Sequence, residues 1–312
     1  MKIGIDIMGG DYAPNETLLG AIQALSEVEK DFEIVLIGNQ EIIEKKLREE
    51  GANASSFTVI HTSQIIEMGE HPTKALQQKP DSSISVGFKM LSEGLLDSFA
   101  SAGNSGAMMV GAMFAIKPIP GVLRPTITSV LPKEDGSVGV ILDVGINADC
   151  KPEVLSQFAT LGTLFSKFVH NIENPKVALL NIGEEAEKGS ILTQTAYNLI
   201  KSIPNVNFIG NVEGRDLFNK KADVIVCDGF TGNVVLKQAE SFFRMMYKRG
   251  LLDDYFKRFN YENYGGTPIL GVNGNVIVGH GISNATAIKN MILLSQEVIK
   301  AQLPEKIKQA LS

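Results

Sequence analysis

The densest set of groups able to do chemistry lies in Val177–Gly189, which reads VALLNIGEEAEKG. Three carboxylates (Glu184, Glu185, Glu187) lead into one cation, Lys188. An apolar run, Val177–Leu180, precedes them, and helical spacing of Ile191, Leu192, Thr195 and Leu199 follows. A buried strand that empties into a Gly-bearing loop and then a helix is where open α/β sheets hold ligands. Backbone N–H groups at the start of that helix suit an anion, and Lys188 would stand beside them. The loop is not a nucleotide loop. That motif is G-x-x-x-x-G-K-[ST], whereas Gly183–Ser190 reads G-EEAE-K-G-S, with Lys and Gly exchanged and three acids inside. A solvated charge run between a strand and a helix is the plain alternative.

Four further stretches repeat the logic. Asp223–Cys227 is a second apolar run, and Asp228-Gly-Phe-Thr-Gly-Asn233 is expected to be a loop before a helix from Val234. Ser98–Ser101 runs into Ala-Gly-Asn104-Ser105-Gly106 and then a helix over Ala107–Phe114. Small residues there permit close backbone approach, by a phosphate or by a packed neighbour. Val138–Leu142 delivers Asp143-Val-Gly145-Ile-Asn147, and Asn211-Val-Glu-Gly-Arg215-Asp216 lies between the first two stretches. Arg124, in a Pro-rich turn, is able to grip an oxyanion with two N–H groups or to pair with a surface acid. Lys79 and Ser82-Ser83 sit in Ile66–Ser83, which holds few apolar residues and reads as a surface loop.

Elements must position these groups. Strands are expected at Lys2–Ile7, Glu33–Gly38 and Phe57–His61, with helices between them, the first capped by Asn15. This β-α-β-α-β order implies a parallel sheet with right-handed crossovers. Ile127–Leu131 and Val138–Leu142 read as a hairpin around Asp135-Gly136, and Pro152 opens a long helix. Phe242–Tyr264 carries eight of the chain's aromatics, interleaved with Arg244, Lys248, Arg249, Lys257 and Arg258. It reads as a protruding helical hairpin, tip near Leu251-Leu252, that meets either a second copy or a membrane surface.

The totals narrow the classes. The 312 residues, 44% hydrophobic, fit one α/β domain over 1–312 or two lobes. A net charge of -6 argues against a nucleic-acid partner. No signal region or membrane-length apolar run is present, so a cytoplasmic protein is expected. Cys150 and Cys227 lack metal or redox spacing, and His61, His71, His170 and His280 are dispersed. No metal or cofactor is expected.

Together these loops resemble the bacterial phosphate acyltransferases that take acyl chains from acyl carrier protein, the PlsX family. The matching pieces are Asp6-Ile-Met-Gly-Gly-Asp11 with Ala13-Pro14, Ser101–Gly106, Gly121-Val-Leu-Arg-Pro125 and Leu142–Gly145 with Asn147. Leu180–Glu185 with Lys188-Gly189, Asn211–Asp216, Cys227–Asn233, Tyr264-Gly-Gly with Pro268, and His280-Gly281 complete the set. They follow the family's order across nearly the whole chain. Ser105 stands where Thr is usual and Ile146 where Ala is usual. The resemblance implies a three-layer α/β/α fold with a largely parallel sheet, akin to phosphotransacetylases and isopropylmalate dehydrogenases. It implies a homodimer that moves an acyl group from acyl carrier protein to inorganic phosphate, upstream of a membrane-bound glycerol-3-phosphate acyltransferase. It places catalysis on Lys188 and Asn233, and substrate binding on Asn104, Ser105, Gly106, Arg124, Asp143, Asn147, Asn181, Arg215, Asp228 and His280. The competing readings are an NAD-dependent decarboxylating dehydrogenase, which lacks a carboxylate metal set here, and a non-catalytic scaffold for acyl carrier protein.

Overall fold

A computed structural model describes residues 1–311. Its strands are β1 (Lys2–Asp6), β2 (Glu33–Gly38), β3 (Thr58–His61), β4 (Ser98–Ser101), β5 (Thr126–Pro132), β6 (Val138–Leu142), β7 (Lys176–Leu180), β8 (Asn207–Val212), β9 (Val224–Val226), β10 (Thr267–Leu270) and β11 (Asn275–Val278). Its helices are α1 (Asn15–Ala24), α2 (Gln40–Glu49), α3 (Pro72–Gln78), α4 (Ser83–Ser92), α5 (Ser105–Gly111), α6 (Pro152–Phe168), α7 (Ile191–Lys201), α8 (Gly229–Lys248), α9 (Ala285–Lys300) and α10 (Leu303–Leu311). The chain divides into two compact units, one of residues 1–118 and 261–304, the other of residues 119–260 and 305–312.

In the first unit the strand order is β3-β2-β1-β4-β11-β10. All neighbours are parallel except β10, which runs antiparallel to β11. β1, β2 and β4 are buried on both faces because helices cover both, as in parallel sheets generally. α4 lies against β1 and β4, and Gly87 of α4 admits the Phe99 ring. α1 packs on α9, where Gly20 seats Ile288. In the second unit the order is β5-β6-β9-β7-β8, an antiparallel hairpin followed by parallel strands. α6 crosses one face, with Gly162 against Val224 and Leu142. The opposite face packs Ile141, Ala178 and Ile225 with Val235 and Leu236 of α8.

Several expectations need correction. Asn15 is the first residue of α1 rather than its cap. Pro14 occupies the cap position, and no side chain caps the helix. Ile66–Ser83 is not all loop, since α3 forms inside it with Pro72 in its first turn. Too few apolar residues mark that helix in sequence, and tertiary bonds hold the region instead. Lys79 Nζ donates to Glu70 at 2.5 Å and to the Ile65 carbonyl at 2.6 Å. Lys79 is therefore a strut, and Ser82 is the buried cap of α4. α5 gives way after Gly111 to a wider π-type turn over Ala112–Ile116. α8 starts at Gly229, so Asp228–Asn233 is a cap and a first helical turn rather than a loop. The segment after α8 is no second helix. Gly250 turns the chain at φ +67, and short 3-10 turns follow at Phe256–Phe259 and Tyr261–Asn263. In the second unit Tyr255 Oη donates to the Pro132 carbonyl, and Arg258 donates to the carbonyls of Lys133 and Ser137.

Candidate functional site

The second unit gathers most of the expected residues. β6, β9, β7 and β8 are mutually parallel in that order, so the loops after them open on one carboxyl edge. The first such loop is built around Asp143, fully buried just past β6. Its Oδ2 accepts from the Asn147 backbone N–H at 2.6 Å and from Asn147 Nδ2 at 2.8 Å. Asn147 Nδ2 also donates to the Pro125 carbonyl, and the Asn147 carbonyl accepts from the Gly229 N–H at 2.7 Å. Asp143 and Asn147 thus shape the loop and tie it to the start of α8. Glycine is obligatory there. A Cβ on Gly229 would fall 2.8 Å from the Asn147 backbone, and one on Gly232 would strike the Asp143 carbonyl.

Asp228 caps α8 by accepting from the Thr231 N–H and hydroxyl, both at 2.8 Å. With the Gly229 N–H donated to Asn147, the first turn of α8 keeps only the Phe230 N–H open among the described residues. The helix start expected to supply donors to an anion therefore has the Phe230 N–H for that purpose. Asn233 lies one turn further on, half-buried, and a Cβ on Gly145 would fall 2.9 Å from its Nδ2. Its amide makes no hydrogen bond among the described residues.

Lys188 lies after β7. The helix there is α7, capped by Ser190, so Lys188 sits two residues before the cap and not in the helix start. Gly189 at φ +91 sets it apart from the helix, pressed against the Asn181 amide. Asn181 Nδ2 donates to the Lys188 carbonyl at 3.0 Å, so Asn181 positions the lysine backbone. Lys188 is exposed, and its ammonium has no ion-pair or hydrogen-bond partner among the described residues. Of the neighbouring acids, Glu184 pairs with Lys221 at 2.7 Å. Arg215 is exposed and pairs with Glu213 at 2.9 Å, and Arg124 is exposed in its turn. Cys150 lies near this edge. Burial pushes its thiol up to about 11, with the Asp143 and Asp228 charges adding to the effect.

The first unit forms its own carboxyl edge, from the ends of β1, β4 and β11. Asp6 is buried there and accepts from the Ser101 hydroxyl at 2.7 Å, as well as from Ser83 and the Met8 and Gly9 N–H groups. Burial raises its pKa against the pull of those bonds. The Asp11 N–H donates to the Gly281 carbonyl at 2.7 Å, which links the β1 and β11 loops. Asn104 is buried and saturated. Its Oδ1 caps α5 through the Ala107 N–H at 2.9 Å, and its Nδ2 donates to the carbonyls of Glu67, Met68 and Glu70. Its amide is therefore a strap on that loop, with nothing left to offer a ligand. Ser105 is exposed, and the Ser105 and Gly106 N–H groups are not donated within the chain among the described residues. His280 packs its ring on Tyr261 at 4.8 Å. Asp6 and Ser101 hold this edge together but were not singled out as site residues in sequence. The signal was an aspartate ending one buried strand and a serine ending another.

Residues 1–306 match the family described as "Fatty acid synthesis protein". The chain is 43% identical to the phosphate acyltransferase of Dictyoglomus turgidum, over 100% of this chain and 98% of the relative. The chain belongs to this family. Membership in the fatty acid synthesis protein family makes it an acyltransferase of lipid biosynthesis. Its fold is that of a phosphotransacetylase from Streptococcus pyogenes, with TM-score 0.68 and 18% identity over 96% of this chain and 94% of that one. A branched-chain phosphotransacylase from Enterococcus faecalis gives TM-score 0.66 and 12% identity, over 96% and 99%. The family thus has an α/β architecture with a mostly parallel sheet and helices on both sides, as the sequence resemblance implied.

Proposed function

We propose that the chain transfers a fatty acyl group from an acyl carrier protein thioester to inorganic phosphate, releasing acyl phosphate for phospholipid synthesis. The observation that carries the reading is Lys188, an exposed and unpaired cation on the same strand edge as the unbonded amide of Asn233. A phosphate oxygen attacks the thioester carbonyl. The new O–C bond forms, the C–S bond breaks, and the carrier thiolate leaves and is protonated. Inorganic phosphate is already nucleophilic near neutral pH, so the protein's work is positioning, worth roughly 7–11 kcal/mol in favourable cases. Lys188 supplies charge to the phosphate or to the leaving sulfur. Asn233 Nδ2 and the Phe230 N–H are available to a developing oxyanion, a role in which one donor is worth about 10²–10³ in turnover. Arg215 and Arg124 extend the cationic surface, while Asp143, Asn147, Asn181 and Asp228 hold the donors in place.

The direct test mixes the purified protein with acyl carrier protein thioester and phosphate, then traps acyl phosphate as a hydroxamate. Activity that survives exhaustive chelation and dialysis supports the cofactor-free scheme; an absolute need for a metal or nucleotide overturns it. No acyl phosphate, with carrier protein still bound, favours the scaffold reading.

The same reading makes the protein a cytoplasmic homodimer that delivers acyl phosphate to a membrane-bound acyltransferase. Phe230, Val234, Phe242 and Met245 stand exposed along α8, with Leu251 beyond its end, and the segment carries several basic residues. No helix among the described residues is long and apolar enough to cross a membrane. Contact with the bilayer surface through this face is therefore proposed. Leu251→Glu/Leu252→Glu should lose flotation with liposomes while remaining dimeric. Unchanged flotation removes the lipid role of this tip, and conversion to monomer reassigns it to the dimer.

A further inference from the structure

The loop that carries Lys188 is held by two side chains that no step above uses. Asn211, in β8, is buried, and its Nδ2 donates to the Glu185 carbonyl at 2.8 Å. The same carbonyl accepts from the Lys188 N–H at 3.1 Å. Gln194, in the first turns of α7, donates its Nε2 to the Glu187 carbonyl at 2.7 Å and to the Gly189 carbonyl at 3.1 Å. Asn181 already holds the Lys188 carbonyl. Side-chain amides from three elements thus fix the backbone on both sides of the lysine. The placement of Asn211 has a sequence cause. Phe208 pairs with Val177 but Asn211 with Leu179, so β8 holds one residue more than β7 over this interval. Gly210, at φ +97, lies in that step. A bulge of this kind re-aims the side chains beyond it, and here it delivers Asn211 to the Glu185 carbonyl.

Two features of Asn211 point past stability. Its Oδ1 is buried and accepts no hydrogen bond among the described residues. A buried acceptor without a donor costs stability, so an apolar residue of similar size would serve the core as well. The amide is also neutral. Lys or Arg in its place would repel the Lys188 ammonium, and Asp or Glu would pair with it. A carboxamide grips the backbone and leaves the charge of Lys188 whole. The same holds for Gln194. We propose that Asn211 and Gln194 are positioning residues for acyl transfer. They hold the backbone of Glu185–Gly189 so that the Lys188 ammonium meets the phosphate, or the leaving sulfur, in one geometry. The proposal rests on the role given to Lys188 in the scheme above.

Asn211→Leu and Gln194→Met remove the donors and keep side-chain bulk. Each should lower kcat about tenfold or more, the scale of a small misplacement at a reacting centre, with the phosphate KM changed less. The thermal melt should stay near that of wild type, since Asn211→Leu also removes an orphaned acceptor. Trypsin should cut the Lys188–Gly189 bond several-fold faster in both variants, because the carbonyls around it are no longer held. The deciding measurement is a double-mutant cycle with Lys188→Ala. A residue that acts through Lys188 should change kcat less than about twofold once the lysine is gone. A loss as large in the Lys188→Ala background as in wild type overturns the proposal and leaves the scheme standing. So does wild-type kcat in both single variants, or tryptic cutting no faster than in wild type. If Asn211→Leu does not fold, the same cycle is read on Gln194→Met, whose side chain is only half-buried. Wild-type kcat in Lys188→Ala alone overturns the scheme itself, and the proposal with it.

Discussion

Asn104 and Asn233 look alike in sequence, each a short amide near a glycine after a buried strand, yet they do opposite things. Asn104 is buried and spends its whole amide inside the first unit, capping α5 and strapping three carbonyls of residues 67–70. Asn233 sits half-buried one turn into α8, and its amide is unused by the chain. The same contrast extends to their surroundings. The edge of the first unit is closed by Asp6, Ser101 and the Asp11–Gly281 link. The edge of the second unit is rigid underneath, through Asp143 and Asn147, but leaves Lys188 unpaired above. A buried amide with every bond satisfied is architecture, because removing it leaves orphaned partners. An accessible donor or cation with no partner is what a reacting substrate can use.

The largest effect should come from Lys188→Ala. Turnover is expected to fall about 10²–10³-fold, the scale of a lost electrostatic contact, with little change in the melting curve because the side chain is exposed and its ammonium is unpaired among the described residues. Asn233→Ala should follow it, lowering kcat more than it raises the KM for phosphate. Near-wild-type kcat in both would break the comparison at its second term.

Asn104→Ala tests the first term. It should cost about 3–4 kcal/mol of stability, since a helix cap and each buried hydrogen bond are worth about 1 kcal/mol apiece and the two amide hydrogens are shared among three carbonyls. A melt unchanged from wild type, with only phosphate KM altered, would return Asn104 to the substrate and erase the contrast.

Acid should separate the units. Burial holds His170, in the second unit, down to about 4. Its folded value lies below its unfolded one, so its stabilising contribution is full above pH 6.5 and is lost as pH falls toward 4. The loss should be on the order of 2–3 kcal/mol. Asp6, in the first unit, has a raised pKa and acts in the other sense: its contribution is greatest in acid and declines as pH rises through the folded value. Hydrogen exchange between pH 6.5 and 4 should loosen residues 119–260 ahead of residues 1–118, and His170→Phe should abolish that lead. Equal loosening of both units would refute it.

The smallest effect is chemical. Cys150, held near pKa 11, should alkylate far more slowly than a free thiol at pH 8. Fast modification would mean that the loop beside Asp143 opens more readily than its bonds imply.

The strands were legible because a sheet covered on both faces demands continuous apolar runs, as in Glu33–Gly38 and Val177–Leu180. The start of α8 was not. Gly229 and Gly232 read as loop residues, yet they are glycine because the helix presses on Asn147 and Asp143, contacts made across the sheet edge. α3 was missed for a related reason, as its support comes from Asn104 and the Lys79–Glu70 pair rather than from periodicity. The division into two units was not recognised, because its first crossing lies in the Pro-rich stretch Pro118–Pro125, which reads as a turn within one domain, and the chain crosses again near residues 260 and 304. Among the site residues, the openness of Lys188 followed from its polar surroundings. The difference between Asn104 and Asn233 did not, since an amide's partners are set by folds of the chain 34 or more residues away.

The first unit also has a history in time. Its strand β11 lies between β4 and β10, and α9 covers α1, but both come from residues 261–304. At roughly 5–20 residues per second of synthesis, the stretch between residue 118 and residue 304 takes roughly 10–40 s to appear. For that interval the open edge of β4 and the uncovered face of α1 travel without their partners, while residues 119–260 are made as one continuous run. The second unit, which then lacks only the carboxyl-terminal α10, is thus free to mature first, and the nascent amino-terminal half is the part of the chain most in need of protection from its neighbours.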